Sequence, residues 1–329
     1  MAPAKRFGRL PVLAALALAG LLPCLSPSHA SAQGSPTGPI RMSVGFGPGS
    51  TADILARLVG AHMATQLGQP VVVENRPGNS SMLAAEAVAR APKDGQTLFM
   101  GTVANVLNPL RMRSPFNLVK DMEPIALLGV SPQVLVVHPS VPARTVQELM
   151  ALARAKPETL TFGTSGLGTA SDLAAQLFNT KAGTKVLTVQ YQGGASQGVT
   201  DLLTGRITAM FNVAVVLAPY ANAGQLAPLA VGQPRRTAIM PQVPTMDEQG
   251  VSGFDVGVWV GLFAPAGTPP AAVERLARAA NDALQSDAVK AAMAIQGMDA
   301  VGAGPAEFRA FIVSDTEKWR LIIEAADQR

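Results

Sequence analysis

Short runs of Val, Ile, Leu and Phe alternate with amphipathic stretches along almost the whole chain. The apolar runs predict strands, and stretches with a helical spacing of apolar residues predict helices. The predicted strands cover residues 40–46, 71–74, 97–101, 125–130, 134–137, 161–162, 187–190, 207–211, 226–231 and 256–264. The predicted helices cover residues 51–67, 81–90, 146–155, 171–181, 196–203, 270–285 and 305–326. This alternation is typical of the α/β fold class.

The first 32 residues have the pattern of a signal peptide. Lys5, Arg6 and Arg9 precede an apolar run over residues 10–22, and Ala-Ser-Ala ends at Ala32. The run is shorter than the roughly 20 residues that span a bilayer. A buried N-terminal helix would not need the basic head, the apolar run and the small-residue site together. We therefore expect cleavage near Ala32 and export to the periplasm.

Removal of the predicted signal peptide would change the net charge of the chain and its cysteine and histidine content. The peptide holds three of the basic residues behind the formal charge of +4, so the mature chain is nearly neutral and no nucleic-acid partner is indicated. It also contains Cys24, the only cysteine, which leaves no thiol or disulfide. Only His62 and His138 remain as histidines, too few for a histidine-rich metal site. We expect neither a metal nor a cofactor.

The chain length predicts two lobes, because the mature protein is larger than one hydrophobic core usually covers. Ser131-Pro132 separates two apolar strands, and residues 250–263 enter the last segment from a Pro/Gly-rich loop. If the chain crosses at both places, lobe one is discontinuous (36–131 plus 254–329) and lobe two is 132–253. A ligand cleft would then lie between the lobes.

Two turns between a strand and a helix could hold a ligand. Residues 45–53 and 162–172 are both rich in glycine and hydroxyl side chains, and each precedes a helix whose N-terminus attracts anions. In the first turn, Ser50 is the predicted N-cap, with Asp53 completing a pair that resembles a capping box. Either turn could instead be a plain, well-capped connection, and these residues alone leave both readings open. A third turn, 191–196, repeats the chemistry more weakly.

A set of short motifs resembles the Bug (TctC-like) receptors of the tripartite tricarboxylate transporter family. The motifs occur in the same order over nearly the whole mature chain: residues 39–46, 48–53, 71–78, 91–98, 162–172, 191–193, 200–205, 243–245 and 262–269. Among them, Glu-Asn-Arg-Pro-Gly and Ala-Pro-Ala-Gly-Thr-Pro are specific. The resemblance implies a two-lobed, type II-like periplasmic binding protein with a hinge of two crossing strands. It also implies a monomer that binds a small carboxylate for transporter membrane subunits or a sensor partner.

In the family the two turns grip a ligand carboxylate, so the resemblance implies ligand-binding roles for matching positions. These are Phe46, Gly47, Pro48, Gly49, Ser50, Thr51, Asp53, Thr164, Ser165, Gly166, Gly168, Thr169, Ser171, Asp172 and Asn212. The chain departs from the family pattern at four of them. Gly47 replaces a usual proline, Ser50 a glycine, Asp172 a frequent histidine and Asn212 a frequent aspartate. These departures bear on the identity of the ligand.

Asp172 has two possible roles. Facing the cleft, its carboxylate would repel an anion and favour a ligand with an amine or hydroxyl at that end. In the first turn of a helix, it would only interact favourably with the helix dipole. The sequence leaves both roles open.

Two enzyme classes compete with the receptor interpretation. Gly45, Gly47 and Gly49 with Glu74 resemble a dinucleotide-binding arrangement, but the glycine spacing is not G-x-G-x-x-G and Pro48 removes a backbone donor. Residues 163–167 resemble a nucleophile elbow without its closing glycine, and a triad would need one of only two histidines. We expect no catalytic residues.

Overall fold

The computed structural model describes residues 38–327 except 113, 115, 157–158, 167–168 and 192–194, and the predicted signal peptide lies outside them. The strands are β1 (Ile40–Val44), β2 (Val71–Asn75), β3 (Thr97–Thr102), β4 (Met122–Val137), β5 (Thr161–Thr164), β6 (Leu187–Gln190), β7 (Ala209–Val213), β8 (Ala227–Val231), β9 (Gly257–Pro265) and β10 (Asp299–Ala303). The helices are α1 (Thr51–Leu67), α2 (Met82–Ala89), α3 (Ala104–Met112), α4 (Leu118–Asp121), α5 (Val146–Ala155), α6 (Ala170–Ala182), α7 (Ala195–Leu203), α8 (Ala214–Asn222), α9 (Pro270–Ala283), α10 (Asp287–Ile295) and α11 (Pro305–Asp327).

The strands form two mixed sheets that share β4. The first has the order β2-β1-β3-β9-β4-β10, with β1 parallel to β2 and β3, and β9 antiparallel to β3 and β4. The second has the order β8-β4-β7-β5-β6, with β5 parallel to β6 and β7, and β4 antiparallel to β7 and β8. Parallel strands joined through helices are the βαβ arrangement that the alternating pattern predicted. The lobe boundaries themselves stay a prediction.

One continuous strand replaces two predicted strands. The sequence predicts separate strands at 125–130 and 134–137 because Pro132 cannot donate a ladder hydrogen bond. In the structure β4 runs unbroken through Pro132, which pairs with Gly257 of β9, and from Gln133 onward the neighbour is β7. The proline thus sits where the strand changes partners, a position at which a missing N–H is tolerated.

Several elements do not follow from the apolar pattern. Helices α3, α8 and α10 and strand β10 lie where the sequence predicts neither helix nor strand. Both α3 and α8 contain an internal proline, Pro109 and Pro219, which argues against a helix in isolation. Helix α8 also begins directly after β7, so no turn signal separates them. Contacts with distant segments decide these elements, since α3 packs on α11, α8 on β4 and α10 on α1.

An aromatic cluster packs where β9 meets α11. The Phe263 and Phe308 ring centroids are 4.9 Å apart, and Trp259 meets Phe308 edge-on at 5.9 Å. The Trp259 indole N–H donates to the buried Asp315 carboxylate at 2.9 Å. Gly261 leaves the space that the Phe308 ring occupies, since a Cβ there would lie 2.6 Å from Phe308 Cε1. In the described part of the chain, no helix combines the length and apolar character needed to cross a membrane.

Gly261→Ala should destabilise the fold by about 1–3 kcal/mol, because the added methyl overpacks the Phe308 ring against β9. Urea unfolding followed by circular dichroism measures this change. Gly38→Ala is the matched control, since its Cβ would meet nothing within 4 Å. Equal stability of the two variants would contradict the tight packing at Gly261.

Candidate ligand-binding site

The loop between β1 and α1 is fixed by the first turn of that helix. Ser50 is the N-cap residue, and its Oγ accepts a hydrogen bond from the Asp53 N–H at 3.3 Å. The Asp53 carboxylate reaches back to the Gly49 N–H at 2.9 Å, one residue earlier than in a capping box. Gly49 has a φ of +82°, a conformation that favours glycine. The interaction between Ser50 and Asp53 follows the sequence prediction apart from this shift.

The Asp53 carboxylate also ties the loop to the second strand. It is 3% exposed, and its Oδ1 lies 2.9 Å from Arg57 Nη2 and accepts from Asn75 Nδ2 at 2.8 Å. Asn75 Nδ2 also donates to the Phe46 carbonyl at 3.0 Å. Burial raises the pKa of Asp53, but hydrogen bonds from Arg57, Gly49 and Asn75 outweigh it and hold the pKa below its ordinary value. The ionised side chain therefore positions the loop.

A strained turn packs against the other side of this loop. The segment Asn79–Ser81 has φ values between +46° and +76°, which non-glycine residues rarely adopt. Asn105 Nδ2 donates to Ser81 Oγ at 3.3 Å. A Cβ on Gly45 would overlap the Ser81 side chain and backbone, so glycine is required there. Backbone strain of this kind persists only where the surroundings hold it.

A cavity of about 500 Å³ lies in front of the loop. It is bounded by the start of α1, the β3–α3 and β7–α8 junctions, the middle of β4 and β9, and the segment between α10 and β10. The lining residues are Phe46, Ser50, Thr51, Ala52, Thr102, Val103, Ala104, Ser131, Val213, Val215, Val216, Val258, Val260, Ile295, Gln296 and Met298. The volume is typical of a small-molecule site, for which the usual range is roughly 300–1,000 Å³.

Three helices begin at this cavity. Thr51 opens α1, Ala104 opens α3, and Val213 is the N-cap residue of α8 without a side-chain capping bond. The first N–H groups of a helix have no partner within the helix and carry partial positive charge. Within the described residues, no Lys, Arg, Asp or Glu lines the cavity. The arrangement therefore suits an anion held by neutral, fixed donors.

Only some of the residues predicted in the first turn line the cavity. Phe46, Ser50 and Thr51 line it, and the Thr51 hydroxyl donates to Gln296 Oε1 at 2.8 Å. Gly47, Pro48 and Gly49 lie in the same loop but outside the described lining. The Asp53 side chain does not line the cavity, because its carboxylate bonds Gly49, Asn75 and Arg57. Contact of these residues with a ligand stays a prediction.

The second predicted turn, residues 162–172, does not contribute to the described lining of this cavity. Among its described residues (164–166 and 169–172), none lines this cavity, and Gly168 lies outside the described residues. Thr164 is fully buried, Gly166 has a φ of +118°, and the Ser165 N–H donates to Ser171 Oγ at 2.9 Å. Thr169 is the N-cap residue of α6. These contacts build a capped turn and leave its ligand role a prediction.

Asn212 lies next to the cavity without lining it. It is buried at the end of β7, and its Oδ1 accepts a hydrogen bond from the Val213 N–H at 2.8 Å. That contact fixes the start of α8, whose N-cap residue lines the cavity.

Asp172 is in the first turn of α6 and is 1% exposed. Its N–H donates to Thr169 Oγ1 at 3.4 Å, and its Oδ2 accepts from Gln176 Nε2 at 2.8 Å. The same oxygen lies 3.8 Å from Nη2 of Arg111 at the end of α3. Sequence reasoning did not find Arg111, because no local pattern links the two positions.

Several lining residues were also missed by the sequence analysis. Thr102, Val103 and Ala104 form a strand–helix junction, as do Val213, Val215 and Val216. Neither junction has the glycine-rich composition that marked the predicted turns. The position at the end of a strand followed by a helix was the available signal, and recognising α3 and α8 would have exposed it.

The acidic and histidine side chains on which the two enzyme interpretations depend have other partners in the structure. Glu74 lies 3.2 Å from Arg76 and 3.9 Å from Arg41. His138 Nδ1 lies 2.7 Å from the Ser140 hydroxyl, two residues along the same loop. In the described ranges, no three His, Cys, Asp or Glu side chains come together as a metal site would require.

Asp53→Asn should lower the free energy of unfolding at neutral pH by about 1–3 kcal/mol, because it removes charge-assisted hydrogen bonds in a buried network. The folded pKa of Asp53 is below 3.8, its ordinary value. The stabilisation is therefore complete above that value and is lost as the pH falls through the folded pKa. Urea unfolding at neutral pH and at about pH 3 measures it.

The exposed Asp282, replaced by asparagine, provides the control for that experiment. The gap between wild type and Asp53→Asn should narrow in acid, whereas the control should match wild type throughout. A gap that widens in acid would contradict the assigned pKa direction.

Asp172→Asn should lower stability by about 1–3 kcal/mol, because it deprives the half-buried Arg111 of its nearby anion. Because Asp172 is buried in the α6 turn, we expect the ranking of ligands in a thermal-shift panel to stay unchanged. Asp287→Asn is the control, since Asp287 is an exposed acid in the first turn of α10 and should cost only about 0.3–1 kcal/mol. A changed ranking would instead assign Asp172 a role in selectivity.

Sequence comparisons place the chain among solute receptors. The family model described as tripartite tricarboxylate transporter family receptor matches residues 55–327. A protein from the tcbD-tcbE intergenic region of Pseudomonas sp. (strain P51) is 35% identical over 323 residues, covering 96% of this chain and 94% of its own. Protein BugT of Bordetella pertussis is 33% identical over 296 residues, covering 89% and 90%.

Solved structures agree with this placement. A TctC solute binding protein from Polaromonas superposes with a TM-score of 0.83 at 27% identity, covering 88% of this chain and 99% of its own. MatC from Rhodopseudomonas palustris with bound malate gives 0.66 at 28% identity, covering 88% and 99%. Another R. palustris protein, with adipate, gives 0.69 at 31% identity, covering 89% and 98%.

The family match and these relatives confirm the resemblance found in the sequence motifs, and the structures confirm the α/β fold of periplasmic binding proteins. The chain belongs to the receptor family of the tripartite tricarboxylate transporters.

Proposed function

We propose that this protein is a periplasmic receptor that binds a small carboxylated metabolite and delivers it to transporter membrane subunits or to a sensor partner. It acts as a monomer and performs no chemistry on the ligand. The observation that carries the proposal is the meeting of three helix N-termini at one cavity whose described lining has no acidic side chain. Such a site favours an anion. The malate and adipate of the two R. palustris structures are carboxylates of the expected size.

The proposal includes closure of two lobes, with lobe one at 36–131 plus 254–329 and lobe two at 132–253. In support, the first sheet takes β1, β2, β3, β9 and β10 from lobe one, and the second takes β5 to β8 from lobe two. Strand β4 and the residues leading into β9 run between them. Bending there would bring the α8 start toward the α1 and α3 starts. Because the backbone donors are already fixed, binding requires little reorganisation at the carboxylate.

A thermal-shift panel of mono-, di- and tricarboxylates, amino acids and aromatic acids tests the function. The protein is first unfolded and refolded to remove any co-purified ligand. A true ligand at about 100 times its Kd should stabilise the fold by about 2.7 kcal/mol, seen as a rise in Tm. Affinity measured by calorimetry should fall less than about threefold between roughly 50 and 500 mM NaCl, because the donors are neutral.

Neutral analogues, in which each acid is replaced by its amide, are the matched controls and should give no shift. The absence of a response to every carboxylate would contradict the receptor proposal. A steep fall in affinity with salt would indicate a cationic side chain at the carboxylate instead of the helix N-termini.

A further inference from the structure

Seven apolar side chains of the described cavity lining are named here the apolar wall. It consists of Val213, Val215, Val216, Val258, Val260, Ile295 and Met298. These side chains come from the start of α8, from β9, and from the end of α10 together with the segment that follows it. Separate parts of the chain therefore contribute to one wall. The polar side chains of the described lining, Ser50, Thr51, Thr102, Ser131 and Gln296, are all uncharged.

This composition opposes a second charge on the ligand. One carboxylate can be held at the helix starts, whereas a second would meet a lining that is mostly apolar and has no cationic side chain among the described residues. Transferring an ionised carboxylate to an apolar surface without a counter-charge is strongly unfavourable. A hydrocarbon body of the ligand would instead bury against the wall and gain hydrophobic stabilisation.

Ser131 adds an independent sign that the cavity is built for a ligand. It is only 6% exposed and lines the cavity, and within the described part of the chain no hydrogen bond satisfies its hydroxyl. Ser131 pairs with Val258 across the β4–β9 ladder, so both side chains point to the cavity face. The next pair, Val130 and Trp259, points to the opposite face, where Trp259 packs in the aromatic cluster. Because the side chain opens onto the cavity, a polar group of a ligand placed there can form a hydrogen bond with this hydroxyl.

We infer that the ligand is a monocarboxylate with an uncharged branched or aromatic hydrocarbon body. Its carboxylate is held by the helix N-termini and accepts one hydrogen bond from the Ser131 hydroxyl, and its hydrocarbon body contacts the apolar wall. This inference rests on the proposed receptor function and specifies the ligand class of the same cavity.

Isothermal titration calorimetry on the refolded protein separates the ligand classes. The probes are benzoate and 3-methylbutanoate as apolar monocarboxylates, with malate, adipate and citrate as polyacids. At least one apolar monocarboxylate should bind about tenfold or more tightly than every polyacid. Tighter binding of a polyacid would overturn the inference and leave the receptor function standing. Binding of no carboxylate at all would overturn both.

Two variants test the wall and the hydroxyl. Val258→Thr keeps the branched shape suited to a strand but places a hydroxyl on the wall, and should weaken binding of the best monocarboxylate about threefold to tenfold. Val72→Thr, on the exposed face of β2, is its matched control and should not change affinity. Ser131→Ala should weaken binding by a similar factor, whereas Ser252→Ala at an exposed site should not.

Circular dichroism of each variant shows whether it is folded before titration. Unchanged affinity in both folded cavity variants would overturn the assignment of the wall and of Ser131 to the ligand. If a cavity variant fails to fold, the comparison of probes on the wild-type protein still decides the ligand class.

Discussion

The antiparallel pairing of β4 with β9 is the constraint on which the rest of the structure depends. Their ladder runs from Met122 opposite Pro265 to Pro132 opposite Gly257, and both strands continue the first sheet outward to β3 and β10. Beyond Pro132, β4 also supplies the pairing edges for β7 and β8. One strand thus organises both sheets, and a break in it would separate β7 and β8 from the first sheet.

The last helix secures this ladder from outside. Asp315 on α11 is buried, accepts the Trp259 N–H and lies 2.6 Å from Lys318 Nζ. Lys318 in turn donates to the Asp255 carbonyl at 2.6 Å, just before β9 begins. Lys318 and the Trp259 N–H therefore offset the burial of the Asp315 carboxylate, which would be unfavourable without such partners. Ser131 and Val258 lie on the opposite face of the same ladder and line the cavity. The packing of α11 on one face of the ladder therefore helps to position these two lining residues on the other.

Local chemistry could be predicted from the sequence, and contacts between distant segments could not. The β1–α1 turn was found because glycines, an N-cap serine and an acid three residues later act within one segment. The β7–α8 junction was missed because its valine-rich start lacks a turn signal and Pro219 disfavours a helix, so only packing reveals it. The approach of Arg111 to Asp172 joins helices far apart in the sequence. Likewise, the isolated hydroxyl of Ser131 becomes visible only once its neighbours in the sheet are known.

In the proposed site, the carboxylate is held by the backbone and the ligand body by side chains, which separates charge recognition from selectivity. Backbone N–H groups at helix starts are present whatever side chains surround them, so substitutions of neighbouring side chains leave the carboxylate donors in place. Side chains on the wall can then change the body that is accepted without disturbing the anchor. In the proposed site, the Asp53 network supports the carboxylate donors, since its members bond the Gly49 N–H and the Phe46 carbonyl of the loop before α1. A position such as Val258 serves the wall alone, because its backbone pairs in the ladder while its side chain faces the cavity. In the site proposed above, charge recognition rests on the fold, and discrimination between carboxylates rests on a few apolar side chains.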